Sequence, residues 1–335
     1  MTGRATVYDV ARVAGVSIKT VSPVVNGTDQ VSDATRARVL TAVNELAYVR
    51  NSVAHSLRTG SGDAIGVVID SIADSFFAQL VSVIEERMLA EDISVLIAST
   101  GRSASRERGQ VARLVGQNVR ALLIAPIGDD HSYIPDATLG MPVVLVDRGW
   151  EIPGYDAVLV QDRAGAKAAV DHLVAAGHRR IAFIGDNDDL PTIAQRQLGY
   201  LDGLAAAGIV QDDALLRAGC GEPEPAAAAT AELLDLADPP TAVFSSNPRA
   251  SLGVVRALHQ GLRTDIALVS FGDFALADSL EPAVTIIDQD PTPIAEAAVD
   301  LLLARLRGAQ PPPTNIVLPV SVVPRGSGEL VPCNR

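Results

Sequence analysis

The sequence contains little of what metal, redox or disulfide chemistry requires. Its 335 residues include two cysteines, Cys220 and Cys333, and five histidines without the spacing of a metal site. Two cysteines cannot make a disulfide framework, so we expect a reducing compartment, the cytoplasm. We also expect no metal and no cofactor, because no group of residues has the pattern that would hold one.

Long apolar runs and catalytic motifs are missing as well. No stretch of eighteen uninterrupted apolar residues occurs and no apolar leader precedes the first helical pattern, so we predict neither a membrane protein nor an exported one. The sequence has no P-loop lysine motif, no GxSxG elbow and no GxGxxG that follows a strand and has an acidic partner. It therefore predicts a protein that is not an enzyme.

The N-terminal part of the chain is instead rich in short amphipathic helical patterns. Thr6 and Asp9 have the spacing of a capping box, which predicts that the first helix begins after Thr6. Gly15 permits a tight turn, and Ser17 is the expected N-cap of a second helix that begins at Ile18. A helix, a short turn and a second helix form the helix-turn-helix arrangement, whose second helix lies in the DNA major groove.

A third helix is predicted after Ser32, and the charge of this head favours a nucleic-acid partner. The buried stripe of the third helix is expected to be Val39, Leu40, Val43 and Leu46. Residues 1–60 carry a net charge of +3 and the whole chain carries −13, so the remainder carries −16. A basic head on an acidic body suits contact with phosphates. A small helical bundle without a ligand remains the alternative.

Beyond a glycine-rich linker at residues 58–63, short apolar runs alternate with helical stripes. The predicted strands are residues 64–69, 94–98, 121–125, 143–146, 157–160, 181–184, 242–245, 267–271 and 284–287. The predicted helices are residues 76–90, 106–116, 165–176, 195–207, 224–236 and 249–260. This alternation predicts an α/β core of doubly wound parallel sheets, and its length of about 270 residues favours two lobes.

Specific motifs occur in both parts of the chain. The head carries YDVA at residues 8–11, AGVS at 14–17, TVS at 20–22, VVN at 24–26 and YVRNSVA at 48–54. The core carries ADSFF at residues 73–77, GHRRIAFIG at 177–185, VSFGD at 269–273 and VPRGS at 323–327. In order and spacing these motifs resemble the lactose repressor (LacI/GalR) family of bacterial transcription regulators, whose effector core is similar to periplasmic sugar-binding proteins.

The resemblance implies a domain organisation and a mechanism. It implies an all-α helix-turn-helix head at residues 1–50, a hinge helix and linker at 51–62, and a two-lobed, periplasmic-binding-protein-like core for effector binding and dimerisation at 63–335. Lobe N is expected to comprise residues 63–160 and 290–319, and lobe C residues 161–289 and 320–335. A homodimer is then expected to repress transcription from a pseudo-palindromic operator. A small-molecule effector, a sugar or related metabolite in the cleft between the lobes, is expected to control it.

For DNA binding the resemblance implies a recognition helix at residues 18–26 and a hinge leucine, Leu57, that wedges into the minor groove. The implied contacts are Thr6, Ser17, Ile18, Lys19, Thr20, Ser22, Pro23, Asn26, Tyr48, Asn51, Ala54 and Leu57. Ile18 and Lys19 occupy the base-reading positions. Pro23 departs from the family, which usually has arginine there. A proline inside a helix removes an amide hydrogen bond and costs roughly 3 kcal/mol.

For the effector the resemblance implies Phe76, Phe77, Asp147, Arg196, Asn247 and Asp273. A guanidinium such as that of Arg196 donates two parallel hydrogen bonds to vicinal hydroxyls or to a carboxylate. Phe77 is as readily a core aromatic as a ligand contact. Gly272 stands where the family usually has the first of two aspartates, which argues against an ordinary pyranose.

Two other functions remain open. In the first, the kink at Pro23 weakens or abolishes sequence-specific DNA binding, and the chain is an effector sensor that acts on other partners. We favour the milder effect, in which the kinked helix still docks and reads a different sequence. The second is a solute-binding protein of the transport type, which fits less well because such proteins are exported.

Overall fold

The computed structural model describes residues 5–25, 31–48, 62–128, 130–149, 152–186 and 190–333. Between Asp63 and Ala64 the chain divides into two compact units. The predicted hinge helix and four predicted DNA contacts lie outside the described residues: Asn26, Asn51, Ala54 and Leu57. No helix in the described ranges is long and apolar enough to cross a membrane.

The described part of the N-terminal unit contains the helices α1 (Val7–Ala14), α2 (Ile18–Val25) and α3 (Asp33–Glu45). Thr6 caps α1 as predicted: its Oγ1 accepts a hydrogen bond from the amide of Asp9, whose carboxylate accepts one from the amide of Thr6. Gly15 has a φ of 65°, a left-handed conformation that ends α1 and turns the chain. The amide of Thr20 donates to Ser17 Oγ at 3.2 Å, so α2 begins where the sequence predicts.

The apolar face of α3 differs by one residue from the predicted stripe. Val39 is fully buried and Ala42 is 1% exposed, whereas Leu40 is 45% exposed. The prediction for Leu40 is wrong because successive helical residues are about 100° apart, so residues 39, 42, 43 and 46 share one face and residue 40 lies beside it. The core of the head is completed from α1 and α2 by Val10, Ala11, Ala14, Val21 and Val24.

The second unit contains two six-stranded sheets. The strands of the first are β1 (Ala64–Ile69), β2 (Ser94–Ser99), β3 (Leu122–Ile124), β4 (Val143–Val146), β5 (Asp156–Val160) and β11 (Asn315–Leu318), in the order β11-β5-β4-β3-β1-β2. The strands of the second are β6 (Ile181–Ile184), β7 (Leu216–Arg217), β8 (Ala242–Ser245), β9 (Ala267–Phe271), β10 (Thr285–Asp288) and β12 (Ser321–Val323), in the order β12-β10-β9-β8-β6-β7. Neighbouring strands are parallel except β10 and β12, which are antiparallel.

Helices cover these sheets. They are α4 (Ser75–Leu89), α5 (Ala104–Gly116), α6 (Tyr133–Thr138), α7 (Asp162–Ala175), α8 (Pro191–Ala206), α9 (Pro223–Leu234), α10 (Pro248–Gln260) and α11 (Pro291–Leu306). Helices α8, α9 and α10 each begin at a proline, which is tolerated in the first turn because its missing amide has no helical partner there. For this reason they start earlier than the apolar stripes alone predict. On α8, Gly199 faces the carbonyl of Arg163 so closely that a Cβ would overlap it.

The chain passes between the two sheets three times, from β5 to α7, from β10 to α11 and from β11 to β12. Helix α7 packs in the core of the second sheet, and α11 packs in the core of the first. We call the part built on the first sheet lobe N and the part built on the second lobe C. The predicted two-lobed α/β fold is confirmed, although α6, α11 and the short edge strands β7, β11 and β12 were not among the predicted elements.

Candidate functional site

Helix α2 buries one face in the head and exposes the other. Val21 and Val24 are 0% and 7% exposed, whereas Ile18 is 38% exposed. Lys19 is also exposed and Ser22 is half-buried. Ile18 and Lys19 thus lie together at the exposed N-terminal end of α2. In helix-turn-helix proteins this end of the second helix contacts base edges.

Pro23 lies inside α2 and is half-buried. Because proline has no amide hydrogen, the carbonyl of Lys19, four residues earlier, receives no helical hydrogen bond from this position. Helix α2 nevertheless extends to Val25. The proline therefore interrupts the hydrogen-bond ladder of the helix predicted to read DNA without ending that helix.

The remaining described head residues predicted to bind DNA also stabilise the head itself. Thr6 caps α1, and its hydrogen bonds lower the pKa of Asp9. The hydroxyls of Ser17 and Thr20 are 2.9 Å apart. Tyr48 packs against the apolar core of the head. Thr6 and Ser17 hold the first turns of α1 and α2 in place and Tyr48 completes the core of the head, so their structural role is independent of any ligand.

The carboxyl ends of the parallel strands form the second candidate site, between the two lobes. Ligands of doubly wound sheets bind at such strand ends. Arg196 of α8 is buried there, with 5% exposure. Its Nε donates to Asp162 Oδ1 at 2.6 Å, its Nη1 to the carbonyl of Ser246 at 2.7 Å and its Nη2 to Gln289 Oε1 at 3.2 Å. The Arg196 Cζ lies 3.8 Å from the centroid of the Phe271 ring.

Asp147 joins this group through Gln289, whose Nε2 donates to Asp147 Oδ1 at 3.0 Å. Asp147 follows β4 in lobe N, and Asp162 and Gln289 lie on two of the segments that cross between the lobes. Burial raises the pKa of Asp162 to about 6, although the charge of Arg196 opposes the shift. The four residues Asp147, Gln289, Arg196 and Asp162 form a buried chain of hydrogen bonds from one lobe to the other, which we call the crossover network.

Asn247 follows β8 and caps α10, because its Oδ1 accepts a hydrogen bond from the amide of Ala250 at 2.8 Å. Its Nδ2 is buried and has no hydrogen-bond partner among the described residues. An unpartnered buried donor costs about 1–3 kcal/mol. A ligand that offers an acceptor to this amide would recover that energy.

The two predicted phenylalanines occupy different places. Phe76 is half-buried and lines a cavity of about 350 Å³ together with Pro248, Gly272 and Gln289. Phe77 is 3% exposed and packs in the apolar core of lobe N. Only the first of the two rings can therefore touch a molecule in this cavity.

Asp273 is not part of the crossover network. Its carboxylate accepts hydrogen bonds from Nη1 and Nη2 of Arg325, at 3.0 and 2.6 Å. The preceding Gly272 has a φ of 85°, and a Cβ there would lie 2.9 Å from Cγ of Pro248. A side chain at position 272 is thus disfavoured both by backbone strain and by contact.

Three further residues at this cleft were missed in the sequence. Arg148 donates to both carboxylate oxygens of Asp70, at 3.0 and 2.7 Å. Arg102 pairs with Asp186 of the opposite lobe. Gln289 links Arg196 to Asp147, as described above. Their common signal is position, because each follows the carboxyl end of a strand by one to three residues.

A second cavity, of about 600 Å³, also borders the crossover network. It is lined by Asp147, Asp162 and Thr192, and by Asn315 of the edge strand β11. Gln289 lines the first cavity and the two aspartates line the second. A molecule in either cavity would therefore contact residues that connect the lobes.

Comparisons with known proteins identify the family. Residues 6–51 match the model "Bacterial regulatory proteins, lacI family", and residues 170–328 match "Periplasmic binding protein-like domain". The HTH-type transcriptional regulator CelR of Thermobifida fusca is 32% identical over 97% of this chain and 98% of its own length. The chain belongs to the LacI family of bacterial regulatory proteins. The family assignment made from the head and core motifs is thereby confirmed.

Two solved structures of LacI-family proteins are similar to the whole chain. The lac repressor dimer bound to operator and the anti-inducer ONPF has 31% identity and a TM-score of 0.86, over 97% of this chain and 99% of that one. The complex of the transcriptional regulator CelR with cellobiose has 30% identity and a TM-score of 0.72, over 97% of this chain and 100% of that one. The similarity thus extends over both the head and the two lobes.

Proposed function

We propose that this LacI-family chain is a cytoplasmic transcriptional repressor. It binds a pseudo-palindromic operator as a homodimer, and a small-molecule effector in the cleft between its lobes controls that binding. The observation that carries the proposal is the head: a capped α1, a left-handed Gly15 turn and an α2 whose N-terminal end is exposed. The similarity to the operator-bound lac repressor dimer supports it.

The proposed DNA contacts centre on the exposed end of α2. Ile18 offers an apolar contact of the kind that thymine methyl groups accept, and Lys19 offers a donor to guanine or phosphate. Around them we assign contacts to Thr6, Ser17, Thr20, Ser22, Pro23 and Tyr48, and from the sequence alone to Asn26, Asn51, Ala54 and Leu57. The net positive charge of the head favours the phosphate backbone, and the acidic remainder disfavours unspecific contact.

The proposed effector site is the cavity region beside the crossover network. Arg196 uses three of its five N–H groups within the protein, so two remain for a ligand. Asn247 Nδ2 is a free donor among the described residues, and Phe76 offers a ring. We assign the effector to these residues and Asp147. Asp273 also lines the cavity beside Phe76, and we assign it to the site with its carboxylate held by Arg325, whereas Phe77 is assigned to the lobe core. The related CelR–cellobiose complex supports a carbohydrate or similar polar metabolite.

Control of DNA binding follows from where Arg196 is attached. It bonds to Asp162 and Gln289, which lie on two of the three crossings, so a ligand that moves its guanidinium changes the relative positions of the lobes. An effector that binds one lobe arrangement better than the other shifts the population between them. Coupling free energies of this kind are typically about 1–3 kcal/mol.

Selection from a random duplex DNA library by the purified protein tests the proposal, with the winners' affinities measured at one fixed salt concentration. We expect a pseudo-palindrome bound at roughly 10⁻⁸ M or tighter. Lys19→Ala should weaken binding to that sequence. Arg87→Ala removes the same charge from a partly exposed helix of the core and should not. Equal losses in the two variants, or no enriched sequence, would contradict the proposed role of α2.

A second candidate function rests on Pro23, whose position inside α2 leaves the carbonyl of Lys19 without its helical donor. In it the head no longer reads sequence and the chain acts as an effector sensor. Pro23→Arg distinguishes the two. If the parent binds specific DNA and the variant prefers a different site, the result supports the repressor. If sequence-specific binding appears only in the variant, the result supports the sensor. Unchanged affinity and site preference would show that position 23 does not influence DNA recognition.

A further inference from the structure

The chain's own side chains bridge the cleft between the lobes at a place outside the crossover network. Arg102 follows β2 in lobe N, and Asp186 follows β6 in lobe C. The Arg102 Nη1 donates to Asp186 Oδ2, and it lies 3.8 Å from Oε1 of Glu222, also in lobe C. The side chain of Asp186 is 8% exposed and that of Arg102 is 26% exposed. The pair is therefore largely removed from water, where charges attract more strongly than at an open surface.

Arg102 also joins two ion pairs that belong to separate lobes. On the lobe N side its Nε lies 3.7 Å from Oδ2 of Asp70, which is held by Arg148. On the lobe C side Glu222 is held by Arg249. Each of these carboxylates keeps its own arginine if the lobes separate. Separation would break the contacts of Arg102 with Asp186 and Glu222, which join the lobes.

Local packing fixes Asp186 for this contact. A Cβ at Gly221 would overlap the Asp186 carboxylate, so the backbone of that segment lies directly against it. An ionic contact is strongest when its members are held in place before it forms, because less side-chain entropy is then lost. Asp186 is such a preorganised partner, and Arg102 is the member that reaches across.

A small apolar contact lies across the same cleft. Ile127 follows β3 in lobe N, and Leu190 and Ile193 lie at the start of α8 in lobe C. They are 5%, 4% and 3% exposed and form a cluster separate from the cores of both lobes. Separation of the lobes would expose these side chains to water, at a cost proportional to the apolar area uncovered.

We propose that Arg102, Asp186 and Glu222 form an ionic clasp, backed by Ile127, Leu190 and Ile193, that holds the lobes together when no effector is bound. The inference rests on the proposed function only in assigning the effector to this cleft. An effector that needs the lobes apart must break the clasp, so its apparent affinity is lowered by the clasp's stability. An effector that needs them together binds a cleft that is already closed.

Double electron–electron resonance on the effector-free, full-length protein tests the clasp without DNA or effector. Spin labels are placed at Ala112→Cys on α5 and Ala228→Cys on α9, both exposed, in a Cys333→Ser background; Cys220 is buried. Labelled chains are diluted with unlabelled protein, so that distances within one chain are measured. Arg102→Gln is compared with Asp186→Asn, with both together, and with Arg87→Gln, which breaks a 2.6 Å ion pair inside lobe N.

We expect Arg102→Gln and Asp186→Asn to lengthen the mean distance and to raise the open-to-closed ratio roughly tenfold each, with no further change in the double variant. Arg87→Gln should leave the distribution unchanged. Circular dichroism checks that each variant is folded. Distances equal to the parent's, or additive effects of the two single variants, overturn the proposal. Because neither DNA nor effector is present, the result is independent of the proposed repressor function.

Discussion

Replacement of Arg196 by methionine tests how far the crossover network stabilises the core. Methionine retains much of the buried apolar volume but removes the hydrogen bonds to Asp162, Ser246 and Gln289. The main effect is on Asp162, which stays buried without its counter-charge. Removing one member of a buried ion pair typically costs about 3–5 kcal/mol. We expect Arg196→Met to lower the free energy of unfolding by that amount at pH 8.

The pH dependence gives the sign of the effect. The folded-state pKa of Asp162 is about 6, above the ordinary value of 3.8, so the folded chain binds a proton that the unfolded chain releases. Stability contributed by this group is therefore full below pH 4 and is lost as the pH rises through 6. Loss of Arg196 raises the pKa of Asp162 further, because in the parent the charge of Arg196 lowers that pKa. The difference in unfolding free energy between variant and parent should be smaller at pH 5 and larger at pH 8.

A double variant supplies the control. Asp162→Asn in the Arg196→Met background removes the uncompensated charge and should recover most of the lost stability at pH 8. Urea unfolding followed by circular dichroism at pH 5 and pH 8 measures all four proteins of the cycle. A loss below about 1 kcal/mol in Arg196→Met, or a further loss in the double variant, would refute the reasoning. If the stable double variant no longer responds to the effector, the cause is loss of the crossover network, through ligand contact or lobe coupling, rather than unfolding.

Three other substitutions test separate parts of the fold. Burial raises the pKa of Glu107 to about 7. Glu107→Gln keeps an acceptor for the Tyr133 hydroxyl, and its free energy of unfolding relative to the parent should rise by about 2–3 kcal/mol between pH 5 and pH 8. A difference in urea unfolding that does not change with pH would contradict this. Thr6→Ala removes the α1 cap and should destabilise the head by about 1 kcal/mol, measured by its thermal transition. Gly199→Ala should cost about 1–3 kcal/mol of core stability in urea, whereas Gly109→Ala, on a helix face with open space, should cost nothing.

The elements with a strong local pattern were predictable from the sequence. Buried strands such as β1, β4 and β6 are continuous apolar runs, and the caps at Thr6, Ser17 and Ser32 mark helix starts. The edge strands β7, β11 and β12 were not predictable in this way. They have only two to four residues, are at least partly exposed, and depend on a neighbouring strand for their hydrogen bonds. Helix α11 carries a proline at its first position and a buried apolar stripe, so the sequence did contain its signal.

The candidate site was predictable only where position along a strand decided it. Asp147 and Asn247 follow strand ends, as their place in the chain predicts, whereas Arg196 of α8 was predicted from the family motif and donates to the carbonyl of Ser246, next to Asn247. The carboxylate of Asp273 turns to Arg325, a partner 52 residues away. Arg102 and Asp186 are 84 residues apart, and no local pattern predicts which carboxylate an arginine will meet. The pairing of Arg102 with Asp186 also depends on the relative placement of the lobes, which hydrophobic periodicity does not encode.

The three crossings between the lobes have a consequence for biosynthesis. Strand β11 completes the sheet of lobe N beside β5, and β12 completes that of lobe C beside β10. Neither sheet is complete until residues 315–323 have been synthesised. Until then both β5 and β10 present unpaired backbone groups, which other nascent chains can pair with. The same short segment closes both edges at once, so the aggregation-prone interval of the growing polypeptide ends for the two lobes together.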